Sequence, residues 1–228
     1  MLTVFQIYFD ESQLGKCEPE YNKILNSNCN EFFENQVIAD IISDSHGYNS
    51  EYVGFVSYKL RDKLGYMKDN WKSIPNIANH STTEFTTDLF LQELIKHKPD
   101  AMSFQRHIPH DPIMVADCFH PGFKKHFEYI MQQIGFEWQP THLDNVFYCN
   151  YFVAKSEIYQ DYVKTMLIPS MDVMKNMPEL WNDSRYPHAL PKHLSDKFGI
   201  AHYPFHPFIC ERMFSWYAHI KKLNCLHY

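Results

Sequence analysis

Glycine is scarce in this chain: 7 of 228 residues, under half of the roughly 7% of ordinary proteins. Neither G-x-G-x-x-G nor G-x-x-x-x-G-K occurs, which excludes the glycine-rich phosphate loops of Rossmann dehydrogenases, P-loop ATPases and kinases. Positive charge is short as well. Lys and Arg number 21 against 27 Asp and Glu, a net −6, which argues against nucleic-acid binding by phosphate neutralisation. None of the six cysteines forms a C-x-x-C pair, so a zinc ribbon or thioredoxin site is not expected. No apolar run reaches the ~18 residues of a membrane span. The start, MLTVFQIYFDES, lacks the basic region of a secretory signal.

Aromatic residues are abundant, at 18 Phe, 15 Tyr and 4 Trp, and 45% of the chain is hydrophobic. That supports a large core, and the length suits a single domain spanning 1–228. Cys149 and Cys210 lie in apolar runs, as reduced core cysteines do, so a cytoplasmic compartment is expected.

Leu2 to Phe9, rich in β-branched and aromatic residues, reads as a buried strand ending at Asp10-Glu11. After an Asn-rich stretch, Phe33, Val37 and Ile41 recur at helical spacing, with Asn30 as N-cap and Gly47 and Asn49 at the end. Tyr52 to Val56 is a second strand. Residues 59–80 read as loop, Ser81 to Lys98 as a helix, and Ala101 to Phe104 as a third strand. An irregular stretch holds His107, Pro109, His110 and Pro112. A helix follows from Phe123 to Gly135, then a strand over Val146 to Ala154. Ser156 to Met174 is a helix interrupted by Pro169, residues 178–207 a Pro- and His-rich loop, and Cys210 to Leu223 a last helix. Strands separated by helices argue an α/β fold with a mainly parallel central sheet flanked by helices.

Three stretches in order carry a resemblance. They are Phe33 to Gly65, FENQVIADIISDSHGYNSEYVGFVSYKLRDKLG; His120 to Phe123 followed by Asn150 to Lys155; and Pro207 to Ser215, PFICERMFS. Together with the opening VFQIYFDES, they resemble a group of bacterial and viral glycosyltransferase-like domains. These occur in capsule, O-antigen and other surface-glycan loci and have a compact GT-A (Rossmann-related) fold. The resemblance implies sugar transfer from a nucleotide-diphosphate-sugar donor to a glycan acceptor.

In such a domain the first strand ends under the nucleotide, which implies donor contacts for Gln6, Tyr8 and Asp10; Tyr8 also reads as a plain core aromatic. Ligands of open α/β sheets collect at carboxyl ends of strands. GT-A enzymes commonly end a later strand in Asp-x-Asp to hold a divalent ion against the diphosphate. Here that run is Ser57-Tyr58-Lys59, so dependence on Mn or Mg is in doubt. Lys59 and Arg61 instead offer charge to the diphosphate, and Tyr58 a hydrogen bond. The same residues read equally as a solvated basic turn.

His107 and His120 are candidate phosphate or sugar contacts. A metal cluster of His107, His110 and Asp111 is disfavoured, because an H-x-x-H broken by proline does not occupy one helix face. An inverting transfer needs a base, for which Asp144 ranks first and Asp111 second. Arg212 is within reach of donor phosphates, and an adjacent Glu211-Arg212 pair is not expected to face itself. Asn145, Asn150, Trp181 and Tyr186 are acceptor candidates; for Asn150 a satisfied core amide is the stronger reading. The rival readings are a non-catalytic glycan-binding or scaffold module, and a metal-dependent hydrolase built on the histidine–aspartate loop.

Overall fold

Successive residues of the first strand go to opposite faces of one sheet, as extended backbone requires. In β1 (Leu2–Tyr8), Phe5 and Ile7 enter one hydrophobic core and Val4 the other. β3 (Tyr52–Ser57) is buried along its whole length, with Val53 and Phe55 on the first face and Tyr52 and Val56 on the second. Both faces are covered, which suits its continuous apolar run. The structure is a computed structural model; it describes residues 1–44, 49–63, 87–104, 110–139 and 141–227.

The remaining strands are β2 (Asn22–Leu25), β4 (Ala101–Ser103), β5 (Phe152–Lys155) and β6 (Cys225–His227). They assemble in the order β2-β1-β3-β5-β4-β6. β1 is parallel to β2 and β3, and β4 to β6, while β5 runs antiparallel between β3 and β4. The fold is thus α/β with a mostly parallel mixed sheet. β3 and β5 approach closely at Gly54, where a Cβ would sit 2.4 Å from Val153 Cγ1 and 2.9 Å from the Phe152 carbonyl oxygen.

The helices are α1 (Glu34–Ser43), α2 (Thr87–His97), α3 (Pro112–Phe119), α4 (Phe123–Gln133), α5 (Ser156–Tyr162), α6 (Ile168–Met174), α7 (Lys192–Phe198) and α8 (His206–Ile220). The larger core packs α1, α4, α5, α6 and α8 against the first face; the smaller one packs α2 and Leu60 against the second. α5 and α6 are joined by a π turn over Val163–Leu167. The wider turn lets Pro169, which has no N–H to give, sit inside a continuous helical path.

Several expectations are corrected. The strand over Val146 to Ala154 shrinks to its last residues, because Cys149 and Asn150 both take left-handed backbone (φ 57°). The irregular stretch before Pro121 contains α3, started by Asp111 as N-cap and Pro112 in the first turn. The loop 178–207 contains α7, and the last helix starts at His206. α1 buries Asn35, Ile38 and Ile42, a stripe rotated from Phe33, Val37 and Ile41. Asn30 accepts from the Phe32 amide in the preceding turn rather than capping the helix. The expected loop over 59–80 begins with a helical turn at 60–63, and its remainder lies outside the described residues, as do Gly47 and His107. Among the described residues no helix is long and apolar enough to cross a membrane.

Candidate functional site

Four segments meet at the carboxyl ends of β1 and β3: the turn 57–63, the first turn of α1, the turn 148–150 before β5, and the middle of α8. The Asn150 side-chain amide donates to Asn35 Oδ1 at 3.0 Å and so ties α1 to the 148–150 turn. The turn in addition receives Lys63, whose ammonium lies 3.1 Å from Cys149 Sγ and 5.2 Å from the centre of the Tyr151 ring. From α8, the Arg212 guanidinium stacks on Tyr148 at 4.8 Å and meets its neighbour Glu211 at 3.4 Å. That contact corrects the expectation that the adjacent pair would not face itself.

The electrostatics of this cluster are unusual. Burial, then the facing Glu211 carboxylate, pushes the Glu34 carboxyl up from its ordinary range, against its own backbone amide and the charges of Lys63 and Lys59. Burial works against the Lys63 ammonium, while the hydrogen bond to the Cys149 sulfur and the Glu211 carboxylate favour the charged form and raise its pKa. Cys149 is pushed up by burial and stays a thiol. A thiol sulfur, a ring face and a 3.4 Å ion pair are weak partners for two largely buried cations. Arg212 Nε, moreover, is buried without a hydrogen-bond partner among the described residues. Such a site favours an incoming anion.

Aromatic rings wall the site. Tyr58 packs edge-on against Phe9, and the Lys59 and Lys16 ammoniums approach its ring face. Tyr203 stacks on Phe33 at 5.7 Å, and burial pushes its phenol up to about 12. Phe9, Phe33, Leu190, Leu194 and Phe198 share a small apolar cluster, which holds α7 and its flanking loops over the end of β1.

Of the residues singled out from the sequence, Tyr58, Lys59, Asn150 and Arg212 come together here. Others are occupied elsewhere. Gln6 is fully buried and bridges the Ser57 carbonyl at 3.1 Å and the Glu18 amide at 2.6 Å. Arg61 forks onto the buried Glu18 carboxylate with bonds of 2.5 and 2.6 Å. The Ser57 hydroxyl pairs with the Tyr151 hydroxyl and accepts from the Lys59 amide. Tyr8 is buried at the end of β1, and burial raises its phenol pKa. Asp10 accepts from Ser12 as the cap of the 3-10 turn Glu11–Lys16, and that bond lowers its pKa.

Asp111 gives its carboxylate to the amides of Ile113, Met114 and Thr141 at 2.9–3.0 Å. Buried His120 stacks on Phe208 and meets the Ser184 carbonyl at 2.9 Å; burial lowers its pKa. Trp181 packs between Phe198 and His206, and Tyr186 against Phe208 and Tyr203. Asp144 and Asn145 line a separate groove near the C-terminal end of α8.

Glu34, Lys63, Tyr148, Cys149 and Tyr203 were not singled out by sequence. Glu34 reads as an ordinary acid in a helix's first turn, and Lys63 as part of a basic surface run. Only the fold buries them together. Among the described residues no group of three or more His, Cys, Asp or Glu side chains converges as a metal-ligand set. No protein-family model, curated protein or solved structure matches this chain.

Proposed function

We propose that the chain is a glycosyltransferase that moves a sugar from a nucleotide-diphosphate-sugar donor to a glycan acceptor in surface-polysaccharide or glycoprotein-glycan synthesis. The observation that carries this reading is the pairing of Glu34 and Glu211 with Lys59, Lys63 and Arg212 at the carboxyl ends of β1 and β3. In this reading Lys63 and Arg212, helped by Lys59, take the diphosphate. Their charge stabilises the leaving group as its bond to the anomeric carbon breaks.

An acceptor hydroxyl oxygen forms the new bond to that carbon, and its proton goes to the Glu34 carboxylate. A raised carboxyl pKa makes Glu34 the better base, a role that Asp111 and Asp144 do not fill from their positions. Glu211 holds Arg212 in place. Tyr58 and Tyr203 present ring surface to the base or sugar. Six free thiols fit a cytoplasmic place of work.

A thermal-shift panel of nucleotides and nucleotide sugars, each with and without Mn²⁺, tests this. A single nucleotide-diphosphate sugar is expected to stabilise the protein, and Lys63→Ala and Arg212→Ala are each expected to weaken its binding by about tenfold or more. A shift that appears only with Mn²⁺ would assign the diphosphate to a metal instead of the cations. No shift with any nucleotide would leave a non-catalytic glycan-binding module as the better reading.

A further inference from the structure

We infer that His110 is a further residue of the charged site: it positions Arg212 for the diphosphate by holding the Tyr148 ring against it. The inference rests on the glycosyl-transfer reading above. The sequence offers His110 only as a disfavoured metal ligand; the fold gives it a different partner. Its Nε2 meets the Tyr148 hydroxyl, and the two rings lie 15° from parallel with centres 5.5 Å apart. Burial raises the Tyr148 pKa, so the phenol keeps its proton and can donate a hydrogen bond to the imidazole nitrogen. Tyr148 in turn carries the Arg212 guanidinium on its ring at 4.8 Å.

The guanidinium needs such a support. Among the described residues its hydrogen-bond partner is the adjacent Glu211, at 3.4 Å, and Nε has none. A contact that long does not fix the guanidinium plane. A planar fork binds phosphate bidentately only when its plane faces the anion. Stacking sets that plane if the ring itself is fixed, and Tyr148 is fixed at both ends. Its backbone leads into the left-handed pair Cys149 and Asn150, which Asn35 ties to α1. Its hydroxyl is held by His110. His110 is anchored as well: its carbonyl accepts from the Leu143 amide at 3.0 Å, and the next residue, Asp111, binds the amides of Ile113, Met114 and Thr141. The start of α3 is thereby connected, through His110 and Tyr148, to the cation assigned to the diphosphate. Locking a binding side chain from behind lowers the ordering cost of binding.

The test is calorimetry of the full chain with inorganic pyrophosphate, which carries the diphosphate charge without base or sugar. His110→Leu and Tyr148→Phe, measured well below their melting temperatures, are each expected to weaken binding about fivefold, the size of one ordinary hydrogen bond. His110→Gln, which keeps an acceptor near the place of Nε2, should recover most of that loss. In an Arg212→Ala background His110→Leu should cause no further loss, whereas a merely structural histidine would cost the same in either background. An equal loss in the Arg212→Ala background, affinity that His110→Leu leaves unchanged, or a parent that binds no pyrophosphate overturns the inference. The nucleotide-sugar panel is read separately. If it fails while pyrophosphate binding follows these variants, the transfer reading falls and His110 stands as part of an anion site. If nucleotide sugars stabilise the parent and the variants bind pyrophosphate as the parent does, the positioning role falls alone.

Discussion

Asn150 Nδ2 donates to Asn35 Oδ1 at 3.0 Å, joining residues 115 positions apart in sequence. The bond locks the first turn of α1 to the turn that carries Tyr148 and Cys149, and so sets Glu34 beside Lys63 and Glu211. Asn150 is also one of two consecutive left-handed residues, a conformation that Asn tolerates better than most side chains. Asn150→Gly keeps that backbone and removes only the side-chain bond. Urea unfolding should show a loss of about 1 kcal/mol, and nucleotide-induced stabilisation should shrink. Asn150→Ala should lose more, by roughly the 1–2 kcal/mol of left-handed strain.

Arg61 and Glu18 form a different kind of charge pair. Glu18 is 4% exposed, whereas the Arg61 side chain is 65% exposed. Arg61→Met strands a buried carboxylate, and equilibrium unfolding should show a loss of about 1–2 kcal/mol. That is less than the 3–5 of a fully buried pair, because solvent screens the arginine. Nucleotide affinity should fall less in this variant than in Lys63→Ala. The reverse order would place Arg61 on the donor.

Glu34 links function to pH. Its folded pKa is raised, so the folded state binds the proton more tightly than the unfolded chain. Stability therefore falls as pH rises above the unfolded value, about 4.3, and stays lower once Glu34 ionises. Glu34→Gln removes that loss. Its melting temperature should exceed that of the parent at neutral pH, and the two should converge below about pH 4. Transfer activity should drop in the same variant, which separates a base from a merely buried carboxyl.

His206 has the opposite sign. Burial lowers its pKa to about 4, so the unfolded chain binds a proton that the folded state refuses. Its contribution is full above the unfolded value, about 6.5, and is lost as pH falls toward about 4. His206→Phe can keep the ring contacts to Phe32 and Trp181. It should flatten the melting-temperature profile across that window.

The local code of the chain was enough for the α/β class and for most long elements. β1 and β3 are apolar runs too dense to be anything but buried strands, and Phe123, Phe127 and Ile130 recur at the period of a helix with one buried face. Short edge elements were illegible. β2 is Asn-Lys-Ile-Leu and largely exposed, and β6 is three residues long, so neither carries a hydrophobic pattern of its own. α3 was hidden in the irregular stretch, where the place of Pro112 directly after Asp111 makes it a helix starter.

The candidate site divides along the same line. Arg212, Lys59 and Tyr58 could be singled out because the resemblance implies diphosphate contacts after the second strand and in the PFICERMFS stretch. Which charges are solvated is a property of burial, and burial is collective. Glu18 rather than a ligand takes Arg61, and the amides of α3 take Asp111, because those partners arrive from other segments of the fold. Glu34 and Lys63 look like surface charges along the chain. They become a partly desolvated carboxyl and ammonium only where the Asn35–Asn150 bond and the packing of α8 bring them together.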